Sequence, residues 1–346
     1  MSAAASSRDT EGASRTADTP ACAPRIRQFS TLRHFTRYLL GRVADKSAPA
    51  RIGGGDRPLL EARYVHIVPQ GAIPPDPQVV IPKLEDYIDV GALAGGLPDA
   101  PGIVDRESKV KAWPMYANGI DGDAPEVIQL NGVGDCTCAA IGHFLAAATA
   151  FSGEVPGGVM FTDAAILGLY SAISGYKLGE QSTDTGCKLQ SVAQYMVSTG
   201  LTDTTGKVHK FAGYFAIGDY SNLELLKQVA NTFGGVYLGV GVYAADVEAT
   251  SNGQPWTLPA AGLNIGPDGV DHCVVLEYSA IGVAGIEDNE TVITMGIEQK
   301  MNQAWAVTNI GQAMGLITED WIGKNGTSIN GQSLKQLIAD SRDVKG

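Results

Sequence analysis

The spacing of apolar residues divides the chain into an amino-terminal third without a continuous core pattern, a helical middle and a strand-rich remainder. Residues 1–24 are Ser-, Ala-, Thr-, Asp- and Pro-rich with no periodic apolar positions. Such a segment buries too little to repay the entropy of ordering and reads as a disordered tail. Between Arg25 and Lys46, the residues Ile26, Phe29, Leu32, Phe35, Leu39, Leu40 and Val43 recur at helical spacing with arginines interleaved, which predicts a basic amphipathic helix. Gly53, Gly54 and Gly55 mark a linker, so residues 1–57 form a first segment. Residues 58–125 carry Pro, Gly and short apolar runs such as Val79–Pro82, the pattern of an extended arm laid over a surface. Trp113 to Tyr116 supply the aromatic area to anchor it.

From residue 126 the pattern becomes helical. A polar turn, Asn131 to Asp135, runs into Cys136–Ala150, apolar nearly all round and therefore an interior helix. Further helices are predicted at Phe161–Ser174 and Leu189–Thr199, each followed by glycine. After Leu223–Phe233 the signal turns to β-branched runs: Val236–Tyr243, His272–Tyr278, Thr291–Met295 and Gln303–Asn309 are predicted as strands. A short helix is expected at Ser333–Asp340. Helices followed by sheet imply an α+β fold of two packed lobes, residues 126–215 and 216–346.

Charge sharpens this picture. Residues 1–57 hold ten Lys+Arg against five Asp+Glu, which leaves 25 − 10 = 15 against 37 − 5 = 32 for the rest. The acidic body argues against nucleic acid as a partner, and the basic helix at 25–46 is expected to dock onto it, ahead of an acidic membrane or another partner. No apolar run is long enough to span a bilayer, and the start of the chain lacks a signal-type apolar region. The reading is a soluble protein, cytoplasmic ahead of secreted. Five cysteines in 346 residues are too few for a disulfide scaffold and favour a reducing compartment.

The candidate chemistry begins at Cys136. Asp135 has an N-cap side chain, and the free N–H groups of a first helical turn favour thiolate over thiol, making Cys136 a candidate nucleophile. The alternative is that Cys136 and Cys138 are small buried hydrophobes. A base must come from five histidines. His143 shares the helix face of Cys136 but lies about 10 Å along it, too far for a hydrogen bond, and reads as a packing residue. His272 opens the strongest strand of the second lobe, where a ring can face across a cleft. A metal site from Cys136, Cys138, His143 and Cys273 lacks the Cys-x-x-Cys spacing of common zinc sites, so no metal and no cofactor are expected.

In element order the chain resembles papain-like cysteine peptidases over about residues 110–322: the turn and helix at Cys136, the loop and helix from Asp184 to Tyr195, the strand from Gly234 and the strand from His272. The separation, 272 − 136 = 136 residues, falls in that family's range. The triplet Gly134-Asp135-Cys136 is nearest to bacterial, phage-encoded and calpain-like members. The resemblance implies a peptide or protein substrate, Cys136 as nucleophile and His272 as general base and later acid. It implies an oxyanion donor a few residues before the cysteine. Asn131 is the nearest match, one residue closer than the family's Gln, and Gln129 lies one residue too far. It implies an orienting Asn on a later strand. Strict alignment places Thr308 there with Asn309 beside it, and the better acceptor chemistry of an amide favours Asn309. Gly186 matches the loop that pairs with extended substrate. Thr137 replaces the family's aromatic after the nucleophile. Residues 58–125 are then either an extended arm or a pro-segment, part of the extension lying over the cleft in the second case, and the resemblance leaves the two open. Two alternatives use the same residues: an acyl-transfer enzyme or amidase with the same Cys and His, and a papain-like binding or structural module without turnover. The oligomeric state is left open.

Overall fold

The computed structural model describes residues 72–73, 76, 78–86, 110, 112–116, 133–258, 271–277, 289–320 and 333–343. The tail, the basic helix at 25–46 and the linker lie outside the described residues, as do Gln129 and Asn131. The fold is α+β, as the apolar pattern predicts. A six-stranded antiparallel sheet runs in the order β5-β10-β6-β7-β8-β9, from β5 (Phe211–Ala216), β6 (Gly235–Val240), β7 (His272–Glu277), β8 (Asn289–Thr294), β9 (Ile297–Asn302) and β10 (Ile310–Thr318). Helix α1 (Cys136–Ser152) lies against β6, β7 and β8, with α2 (Asp163–Ser174) and α3 (Leu189–Ser198) beside it. Helix α4 (Leu223–Phe233) packs on β6, β7 and β10, and its C-cap Gly234 leads directly into β6. The remaining α-helices among the described residues are α5 (Ala244–Ser251), α6 (Gln303–Asn309) and α7 (Lys335–Asp343), the last packed on β5.

The Ala-rich composition of α1 explains its place. Small side chains let neighbours approach on all sides, and residues 137–150 are buried throughout. Gly142 is required there, because a Cβ would meet Tyr116 Cε2 at 2.6 Å. Tyr116 is fully buried, and Trp113 stacks edge-on to His143 at 5.8 Å, so the Trp113–Tyr116 segment is anchored on α1.

Gln303–Asn309 is a helix, where alternation predicted a strand. The Asn302 side chain caps it by accepting from Trp305 N–H at 2.7 Å. The Trp305 ring then packs on Trp256 and donates to Asp246 Oδ1 at 3.1 Å. A cap plus one buried aromatic outweighs local β preference. Strands β5, β9 and β10 and helix α5 carried too weak a local period to be predicted.

Short pairings fasten the periphery. Strands β3 (Leu201–Thr202) and β4 (Val208–His209) form a hairpin. Buried His209 lies between Asp203 Oδ2 at 3.0 Å and Asp320 Oδ2 at 2.9 Å, tying that hairpin to the end of β10. Of the amino-terminal arm, Leu84 is fully buried and Ala216 N–H donates to Pro82 O at 2.8 Å, docking this part beside β5.

Candidate active site

Cys136 is the first residue of α1 and is half-buried. Two contacts hold this turn in place. Tyr237 Oη on β6 donates to Thr137 O at 2.8 Å, and the Gly134 N–H donates to both oxygens of Asp184 at 3.0 Å. Asp184 also accepts from Tyr170 Oη at 2.6 Å, and Tyr170 in turn accepts from Gly186 N–H at 2.8 Å. One carboxylate thus couples the loop before Cys136 to the loop at Gly186.

Across from this turn, Asp271 fastens the start of β7. Its N–H donates to Val240 O at 3.1 Å, and its Oδ1 accepts from Val242 N–H at 3.0 Å. The Cys136 sulfur accepts the backbone N–H of Cys273, so the head of α1 meets the segment that carries His272. His272 is 5% exposed. Its Nε2 lies 2.7 Å from Thr294 Oγ1, and its Nδ1 has no hydrogen-bond partner among the described residues. Thr294 ends β8. The next two residues, Met295 and Gly296, both have positive φ (48° and 74°) and turn the chain back into β9, the geometry of a two-residue hairpin.

Several expectations change. The Asp135 side chain makes no cap hydrogen bond, and its buried carboxyl is pushed well above the usual carboxylate range by burial. Burial, then the neighbouring Cys273 and Asp135, push the Cys136 thiol up, outweighing the N–H that it accepts. First-turn dipoles are therefore insufficient to ionise it here. Burial, with His143 adding to it, lowers the His272 imidazole to about 4. Thiol and imidazole are both neutral, with no hydrogen bond between them.

Asn309 is not the partner of His272. It ends helix α6, buried, and neither Oδ1 nor Nδ2 has a hydrogen-bond partner among the described residues. Thr308 donates back to Ala304 O at 2.9 Å. The residue at the imidazole is Thr294, which sequence reasoning missed. The available signal was that it closes the first strand after His272. Gly186 has φ 78° and its N–H is taken by Tyr170. The residues that pair with an extended segment are the next two, Cys187 and Lys188 of strand β2.

That extended segment belongs to the chain itself. Strand β1 (Ala72–Ile73) pairs parallel with β2, Ala72 opposite Cys187 and Ile73 opposite Lys188. Ala72 N–H also donates to Asp271 O at 3.4 Å. The arm thus bridges the Gly186 loop and the residue preceding His272. His143, as expected, is a packing residue: it is buried, and its Nε2–H donates to Pro114 O at 2.7 Å. Cysteines 136, 138, 187 and 273 are all free thiols. Among the described residues no group of three or more His, Cys, Asp or Glu is placed to hold a metal ion, and no helix is long and apolar enough to cross a membrane.

No protein-family model and no curated protein sequence matches the chain. Among solved structures it is similar to xylellain, a cysteine protease from Xylella fastidiosa, at 12% identity and TM-score 0.46, covering 74% of this chain and 98% of that one. It is also similar to a structure from work on the mite allergens Blo t 1 and Der p 1, at 12% identity and TM-score 0.39, covering 67% and 79%. A third is digestive procathepsin L 3 of the Tenebrio molitor larval midgut, at 10% identity and TM-score 0.43, covering 83% and 79%.

Proposed function

We propose that this chain is a papain-like cysteine peptidase in a closed state, with its own amino-terminal arm in the substrate groove. The observation that carries the reading is the junction of α1 and β7. The Cys136 sulfur lies on the N–H of Cys273, the residue after His272, and the His272 imidazole is anchored at Nε2 and unpaired at Nδ1 among the described residues.

With Nε2–H donating to Thr294 Oγ1, Nδ1 keeps its lone pair and can take the thiol proton. The thiolate then adds to a peptide carbonyl, and the Cys136 N–H, without an intrahelical acceptor at this position, stabilises the oxyanion. Asn131 is the proposed second donor. The imidazolium gives its proton to the departing amine, leaving an acyl-thioester. Water, deprotonated by His272, hydrolyses that ester and restores the thiol. Thr294 positions the ring in this scheme. Withdrawal of the arm admits water, which lowers the desolvation cost of the thiolate–imidazolium pair.

A second reading, a binding module without turnover, draws on the neutral thiol and the missing Cys136–His272 hydrogen bond. The two separate by alkylation of the full chain with iodoacetamide near neutral pH, comparing the parent with Ala72→Pro, which removes the N–H that reaches Asp271. A peptidase gives selective labelling of Cys136 that accelerates in Ala72→Pro and is lost on His272→Ala, together with peptide hydrolysis abolished by Cys136→Ala. Labelling of the opened variant no faster than free cysteine, or hydrolysis that survives Cys136→Ala, rejects the catalytic reading.

A further inference from the structure

Among the described residues, backbone pairing between the arm and β2 covers Ala72 and Ile73, and an ion pair lies beyond it. The residues after Ile73 are Pro74, Pro75, Asp76 and Pro77. Proline has no N–H, so three of these four cannot donate to a continued ladder. Among the described residues a side chain of the arm also reaches β2: Asp76 Oδ2 lies 3.2 Å from Lys188 Nζ, on the residue that pairs with Ile73. Asp76 Oδ1 accepts from Gln78 N–H at 3.0 Å, which fixes the carboxylate toward the lysine. Lys188 is also of the minority sign, since residues 58–346 carry 32 acidic groups and 15 basic ones.

We infer that Lys188 is a carboxylate-recognition residue of the groove, filled here by Asp76 and filled in a substrate complex by an Asp or Glu of the bound peptide. This rests on the peptidase reading for the identity of the second ligand. The site lies outward from Cys136, because Ala72 sits beside Asp271 and Asp76 is four residues further along the arm. It makes arm closure and acidic-substrate binding mutually exclusive: both need the same ammonium group. Lys188 and Asp76 side chains are 35% and 37% exposed. An ion pair of that exposure gives a discrimination of about 2- to 5-fold rather than orders of magnitude.

The test compares Cys136 alkylation rates in the full chain for the parent, Asp76→Asn, Lys188→Gln, their double variant and the charge swap Asp76→Lys/Lys188→Glu. Each single variant is expected to label about 2- to 5-fold faster and the double no faster than either single. The swap is expected to return toward the parent rate, and added salt to accelerate the parent but not Asp76→Asn. With paired peptides differing only as Glu or Gln, the parent favours Glu through KM, and Lys188→Gln loses the preference. Equal rates across the set, or a double variant that sums the singles with no rescue by the swap, overturn the assignment. The two readings fail separately. If the ratios hold while Cys136 never exceeds free cysteine in reactivity, catalysis falls and the Lys188 site stands; fast labelling with all ratios at unity gives the reverse.

Discussion

Two buried histidines make this fold sensitive to mild acid, and His143 allows the effect to be isolated. The imidazole donates to Pro114 O and is lowered to about 4 by burial, against an ordinary value of 6.5. A depressed histidine contributes stability that is complete above its ordinary value and is lost as pH falls toward the folded value, because the unfolded chain takes up the proton first. Between pH 7 and pH 5 the linkage for one such group amounts to about 2 kcal/mol. His143→Gln retains an N–H for Pro114 O but does not titrate. Its melting temperature should therefore fall less than the parent's over this interval, by about 3 °C for a protein of this size. The comparison cancels groups that titrate alike in both proteins, such as His209, raised; His272, lowered to about 4 first by burial, differs only by the smaller contribution of His143. The assay is calorimetric or circular-dichroism melting at pH 7, 6 and 5. Parallel curves for parent and variant would refute the claim that His143 is buried neutral.

Three further outcomes follow from the same geometry. Thr294→Val leaves the buried His272 Nε2 without its partner, at a cost of about 1–3 kcal/mol by denaturant titration; on the proposed peptidase reading it also shifts the pH profile of turnover, with Thr294→Ser restoring it. Gly142→Ala drives a Cβ into the Tyr116 ring and destabilises by about 1–3 kcal/mol, relieved when Tyr116→Leu is added; strict additivity of the two would contradict the contact. His209→Leu removes the cation between the half-buried carboxylates of Asp203 and Asp320 and should cost about 1–3 kcal/mol near pH 6. Its raised histidine contributes fully below pH 6.5 and fades as pH rises through the folded value. Asp203, lowered to about 2, loses its share only in strong acid, so the penalty in thermal melts should shrink toward alkaline pH.

Local pattern made much of the frame legible. The all-apolar stretch after Cys136 could only be an interior helix, and the boundaries of α2, α3 and α4 follow from caps and glycine stops within a few residues. The strand opened by His272 was equally plain, because β-branched runs are a local property. Cys136 and His272 were accordingly found as residue types at the heads of two elements. The partner of His272 was not. Strand β7 sets Val275 opposite Ile293 and Leu276 opposite Val292, and this register brings Thr294 to the ring. Register depends on pairing between distant segments, which no local period records. The choice of Asn309 failed for a related reason: it assumed a strand where the Asn302 cap and the buried Trp305 ring make a helix.

By itself the sequence determined the fold class, the buried helix and the two residues at element heads, since period, capping and side-chain type act over a few neighbouring positions. Tertiary structure alone decided that Cys136 and His272 are held neutral, that Thr294 holds the imidazole and that Ala72, Ile73 and Asp76 line up with Cys187 and Lys188. Desolvation and cross-strand register depend on which distant segments exclude water from one another, and that is fixed only when the chain is folded.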